Sequence, residues 1–348
     1  MLLENYDGSL EPRMLQVLFG LGLGLVFGIA AQISRFCLRR SVSFDSADRG
    51  QAGAVWLTAF ATALLAFQIA KTAGFIEMAD HRYLSADLPV VAIILGGLAF
   101  GVGMVLTRGC VSRLTVLGAT GNLRALSVIV LFAIVAHAML KGVLSPLRTA
   151  LGSVSVQLPI GSLAEVPALA VLAVGTAVAG AIYLISRFRP KWHSVVLGGV
   201  IGLVPVVGWM VTSVLLYDEF DPLAVQSAAF TLPWSDTLFW VIASTAVPAG
   251  FGTGLIGGVL LGSFASAATR GELELASFET PAQFGRYTTG AVLMGFGGVL
   301  AGGCTIGAGL SGGATLSVAA LLALASIVAG GLIASRLASA QQPVGVPA

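Results

Sequence analysis

Nine apolar stretches, each roughly the 17–25 residues with which an α-helix spans a bilayer core, decide what this chain can fold into. They fall near residues 15–31, 52–70, 89–106, 125–140, 166–185, 193–215, 237–262, 288–303 and 315–335. The stretches 141–165 and 263–287 read as loops with short or interfacial helices. Only 10% of the residues are charged, against about a quarter in a soluble domain, too few to cover a water-facing surface. The runs lack the alternation of a barrel strand, and backbone in hydrocarbon must satisfy its own hydrogen bonds, so helices are required. The expected fold is an all-α membrane protein with about nine transmembrane helices plus short re-entrant or interfacial helices. It forms one transmembrane domain over residues 1–348.

The first fourteen residues carry Glu4, Asp7, Glu11 and Arg13, unlike the positive leader of a cleavable signal. With the N-terminus outside, thirteen Lys and Arg residues fall on inner loops and five on outer ones. The positive-inside rule therefore favours an external N-terminus and a cytoplasmic C-terminus in the cytoplasmic membrane. The loop Tyr217–Asp236, with four acids and no base, fits the outer side. The net charge of +2 gives no reason to expect a nucleic acid partner.

The chain repeats itself. Gly96–Cys110 and Gly290–Cys304 match at seven of fifteen positions, including the terminal Gly-Cys. Gly20–Gly28 and Gly250–Gly258 form a weaker echo. Related halves, about 15–140 and 193–335, point to a transporter fold. The topology brings the two Gly-Cys segments in from opposite faces, as an inverted repeat requires. It leaves the weaker pair uninverted, which asks for a changed span count or a re-entrant segment.

Each of the three cysteines, Cys37, Cys110 and Cys304, follows a glycine-rich apolar run. Small residues there let helices pack closely or break. A break exposes backbone N–H groups at the next helix start, where the dipole favours an anion. A single membrane cysteine is ordinarily a small hydrophobe, but three at glycine breaks, two of them in a repeat, point to a pathway. Gly109, Gly303 and Thr305 flank two of these thiols. Arg35 and Arg108 lie nearest the apolar runs, where a charge costs about 2.5 kcal/mol or more at the centre, and cations there favour an anion. Arg39, Arg40 and Arg113 are accounted for by the positive-inside rule.

No Asp or Glu falls in a span, which weighs against a carboxylate proton relay. His137 and Lys141 share a helix face as a polar satellite, and with His81 and His193 they suggest no metal cluster. Three cysteines without a CxxC argue against a disulfide scaffold or a four-cysteine zinc site, and no cofactor is expected.

The segments SRFC (34–37), LTRGCVSR (106–113) with GNLR (121–124), and LMGFGGVLAGGCTIGAGLSG (293–312) resemble the YeeE/YedE family of sulfur-transport membrane proteins, over Gly20 to about Gly331. The resemblance implies thiosulfate uptake, without an enzymatic step, through an hourglass-shaped, pseudo-symmetric helical protein. It maps the family's three functional cysteines onto Cys37, Cys110 and Cys304, and implies a cytoplasmic TusA-like sulfur-carrier partner. The sequence departs from the family pattern after Cys37, where Leu38, Arg39 and Arg40 replace small or polar residues. Thiosulfate is a dianion with a soft terminal sulfur, which neutral thiols can contact weakly. Transport needs binding tight enough to admit the ion and weak enough to release it. Two other readings are a membrane thiol–disulfide oxidoreductase or sulfur-transfer enzyme, and a transporter of sulfite, a selenium compound or a soft metal ion.

Overall fold

A computed structural model of the chain describes residues 12–78, 81–216 and 224–340. The acidic start and part of the 217–236 loop lie outside these residues.

Thirteen α-helices are present among the described residues: α1 (Pro12–Ser34), α2 (Leu38–Val42), α3 (Arg49–Thr72), α4 (Val90–Leu106), α5 (Val111–Ala119), α6 (Leu123–Lys141), α7 (Ser145–Gly152), α8 (Pro167–Phe188), α9 (Trp192–Met210), α10 (Thr231–Ile242), α11 (Phe251–Thr269), α12 (Pro281–Leu300) and α13 (Val318–Ala340). A π-helical segment, Thr305–Gly312, separates α12 from α13. Two-residue strands, β1 (Asp87–Leu88) and β2 (Val156–Gln157), pair antiparallel. Nine helical stretches among the described residues are long and apolar enough to span a membrane.

Glycine contacts fix the helix directions. A Cβ on Gly96 would meet Gly297–Ala301, whereas one on Gly103 would meet Gly290 and Met294, so α4 and α12 run antiparallel. The two Gly-Cys helices thus come from opposite faces. Gly20, Gly24 and Gly28 meet Phe251, Leu255 and Val259 in rising order, so α1 and α11 run parallel. In return, Gly254, Gly258 and Gly262 seat against the carbonyls of Val17, Leu21 and Leu25. The weaker echo is therefore a mutual small-residue packing face.

The span expected at 237–262 divides. Helix α10 ends at Ile242 and α11 begins at Phe251. Between them stand Pro248, which lacks an N–H, and Gly250, the extended N-cap of α11. The expected loop at 263–287 shrinks accordingly, because α11 continues to Thr269 and α12 begins at Pro281. The 141–165 stretch carries the short α7 and a 3-10 turn, Leu163–Glu165. The 217–236 loop is also shorter than expected. Helix α10 starts at the middle of the molecule, where Phe230 packs on Phe27 at 5.4 Å and Ser311 donates to the Ala228 carbonyl.

Candidate functional site

All three cysteines stand at one kind of backbone break. After α1 come Arg35 (φ 52°), Phe36 and Cys37, which N-caps α2. After α4 come Arg108 (φ 57°), Gly109 and Cys110, which N-caps α5. After α12 come Gly302 (φ 74°), Gly303 and Cys304, which N-caps the π-helical segment. A left-handed residue ends a helix by turning its last carbonyls aside. The extended cysteine then starts the next helix, whose first N–H groups have no intrahelical acceptor. One of them, Gly307 N–H, donates to Cys304 Sγ at 3.4 Å.

The breaks converge. Cys37, Cys110 and Cys304 are 4%, 1% and 0% exposed, so the centre is closed. The Cys37 thiol neighbours that of Cys110, and Cys110 in turn neighbours Cys304 and the Thr305 hydroxyl. Ser112 Oγ lies 3.2 Å from Cys110 Sγ. Among the described residues Thr305 Oγ1 is buried with no hydrogen-bond partner, a state a buried hydroxyl rarely keeps unless a ligand or water completes it. What gathers here is a run of soft sulfurs and neutral hydroxyl donors at helix starts, a setting for a soft-ended anion.

Each break is braced differently. Arg40 Nη1 donates to the Arg35 carbonyl at 2.6 Å. Thr107 Oγ1 donates to the Gly109 carbonyl at 2.9 Å from within its own turn. The matching residue before Cys304 is Ala301, which has no hydroxyl. There the Tyr83 hydroxyl donates to the Gly307 carbonyl at 3.0 Å and approaches the Gly302 carbonyl at 3.4 Å, while Arg82 Nη2 donates to Gly302 at 3.1 Å. Tyr83 belongs to the α3–α4 loop, which packs its ring and that of His81 against Trp209 of α9.

The candidate arginines take unexpected places. Arg108 is exposed. Arg35 is exposed too, but borders a cavity of about 260 Å³ that Cys37 also lines. The cation beside Cys37 and Cys110 is Arg113, half-buried, whose Nη1 donates to the Ala31 carbonyl at 3.3 Å. Sequence reasoning took it for a topological charge, and also missed Tyr83. A periodicity argument could have found Arg113, because it lies three residues past Cys110 on the same short helix. His137, assigned to a polar satellite, stacks on Phe239 at 3.5 Å and lies 3.0 Å from Ser235 Oγ.

The model of the sulphur transport family matches residues 33–333, a span that includes all three breaks. The chain belongs to that family. Its curated relatives include the thiosulfate transporter TsuA of Escherichia coli strain K12. That protein is 25% identical, in an alignment that covers 84% of this chain and 86% of the relative. The thiosulfate transporter TsuA of Spirochaeta thermophila is 28% identical, in an alignment that covers 83% of this chain and 88% of the relative. Family membership joins the nine membrane-spanning stretches to sulfur transport, and the family match takes in Cys37, Cys110 and Cys304 together.

Proposed function

We propose that this protein imports thiosulfate across the cytoplasmic membrane by passing the ion along Cys304, Cys110 and Cys37. The observation that carries the reading is the meeting of three helix breaks at neighbouring buried thiols. The curated relatives, both named thiosulfate transporters, support the choice of ion. A neutral thiol contacts the terminal sulfur weakly, and three in series let the ion advance without being held. Thiolates would repel the dianion, so the relay requires protonated thiols. Thr305 and the helix starts at Cys110 and Cys304 receive the oxyanion end, and Arg113 offsets charge. Gly109 and Gly303 permit the breaks. Arg35 and Arg108 act on the inner side of the row, as cations that attract the arriving ion.

The N-terminus is outside and the C-terminus cytoplasmic, because the Arg-rich loops share the face where α13 ends. Residues 15–140 and 193–335 form the two halves of one transmembrane domain. A TusA-like carrier protein docks on the inner face, and no bond of the ion is made or broken in transit. Uptake of radiolabelled thiosulfate into reconstituted vesicles tests this. Folded Cys110→Ala and Cys304→Ala proteins should each lose nearly all uptake, and Cys37→Ala should lose less. Normal uptake in the first two would end the relay.

The closeness of Cys37 to Cys110 also fits a thiol–disulfide oxidoreductase. Mass spectrometry after turnover separates the two: free thiols accord with transport, whereas a Cys37–Cys110 disulfide or a persulfide accords with redox or sulfur-transfer chemistry.

A further inference from the structure

Cys37 faces the closed centre on one side and a separate space on the other. The cavity of about 260 Å³ lies on the C-terminal face, bounded by Arg35, Arg40, Asp48, Lys191 and Arg270 as well as by Cys37. Four basic side chains thus surround one carboxylate. Arg40 pairs with Asp48, and Arg270 pairs with Glu272 just beyond the cavity. Among the described residues, neither Arg35 nor Lys191 has a carboxylate within ion-pair distance.

Topology explains why cations lie on this face, but it leaves two facts over. The first is convergence: these side chains come from the α1–α2 turn, from α2, from the α8–α9 turn and from the end of α11, yet line one concavity. Such a recess focuses the field and concentrates small anions. The second is Arg35 itself. Its backbone is left-handed, with φ 52°, which costs a non-glycine residue about 1 kcal/mol or more. The matching position in the third break is Gly302 (φ 74°), which has no such cost. An arginine kept where glycine fits better is placed for its charge.

We propose that this cavity is a second anion site, holding a small tetrahedral dianion of the sulfate and thiosulfate class, and that its occupancy slows further import. The site stands on the cavity; its effect on import rests on the reading of the chain as a thiosulfate importer. A dianion seated here puts two negative charges beside Cys37, the innermost thiol. The next ion is then repelled from the position it must leave by. Accumulated product, or sulfate already inside, would act alike because both present the same charge and shape.

Sulfate, which lacks the soft sulfur, is the probe. Full-length protein in lipid nanodiscs should bind radiolabelled sulfate at one saturable site per chain. Lys191→Gln, a change at an exposed residue, should weaken binding about fivefold, the scale of one partly exposed ion pair. High salt should weaken it further, and thiosulfate should displace the bound sulfate. Absence of saturable binding, binding indifferent to a combined Arg35→Gln/Lys191→Gln change, or failure of thiosulfate to displace sulfate would each overturn the site. In vesicles with the C-terminal face inward, internal sulfate should cut thiosulfate uptake several-fold relative to chloride at equal ionic strength. Lys191→Gln should relieve that inhibition. Uptake indifferent to internal sulfate overturns the regulatory half. A native protein with no uptake would instead defeat the importer reading, leaving the sulfate measurement to decide the site alone.

Discussion

The breaks before Cys110 and Cys304 share a sequence repeat and a backbone course, but they are held in opposite ways. The first is self-contained: Thr107 sits in the turn it stabilises and bonds both the Gly103 and Gly109 carbonyls. The second depends on a distant loop, whose Tyr83 and Arg82 reach the carbonyls on either side of Cys304. Their glycines differ as well. A Cβ on Gly109 would meet the Leu114 side chain at 3.3 Å, whereas one on Gly303 would strike the Ala308 backbone nitrogen at 2.7 Å. A repeat can therefore copy a bend in the chain without copying what supports it. The supported copy is coupled to the face of the membrane its brace comes from.

The largest effect that sharpens this contrast is expected at the glycines. Gly303→Ala should abolish thiosulfate uptake in vesicles, because backbone must move to admit the methyl group. Gly109→Ala, meeting a side chain that can yield a few tenths of an ångström, should keep more than half. Equal loss in both would show that the two breaks are equally tight and would remove the asymmetry.

Next come the braces. Tyr83→Phe deletes one hydroxyl and takes the side-chain donor from the Gly307 carbonyl, a loss of about 1 kcal/mol, and it should loosen the seat of Cys304. Maleimide labelling of Cys304 should rise several-fold while labelling of Cys110 stays unchanged. Thr107→Val should do the reverse. If Tyr83→Phe exposes both thiols alike, the loop is a general support and not a brace for one break.

A smaller effect is expected at the left-handed residues. Gly302→Ala should lower stability by about 1 kcal/mol, measured by thermal unfolding in detergent. Arg108→Gly should leave stability unchanged or raise it slightly, since it relieves strain at φ 57° while adding chain entropy to the unfolded state. A loss at Arg108 as large as that at Gly302 would mean its exposed guanidinium holds the first break in place.

Hydropathy made the frame legible, since bilayer thickness imposes a length that residue counting can see. The Gly-Cys repeat made two breaks legible, since only small residues allow such close backbone approach. Helix α10 was hidden because TLPWSDTLFWVI runs into further apolar residues, and an average over the run passes over the stop at Pro248–Gly250. Tyr83 was hidden for a different reason. It sits in the polar stretch HRYLSADLP, where no periodicity marks a residue as inward-facing, and its partners are carbonyls more than two hundred positions away. Arg113 looked like a topological charge because charge counting does not distinguish a lysine or arginine in a loop from one on the helix that starts at a thiol.

A last effect is one of pH, and it too should fall on the Cys304 side alone. His81 precedes Tyr83 in the bracing loop, accepts the Tyr83 N–H at 3.3 Å and lies edge-on to Trp209 at 4.9 Å. Burial, reinforced by the Arg82 charge, pushes its imidazole down to about 4 from the ordinary 6.5. The unfolded loop therefore binds a proton between pH 6.5 and 4 that the folded loop refuses. The stability this neutral ring contributes is complete above pH 6.5 and declines as pH falls through that window. The native protein should lose thermal stability, and its Cys304 should gain maleimide reactivity, between pH 7 and 5, with Cys110 unaffected. His81→Gln, which cannot take up a proton, should flatten both curves. Identical pH profiles for the two thiols would mean that the α3–α4 loop does not govern the second break.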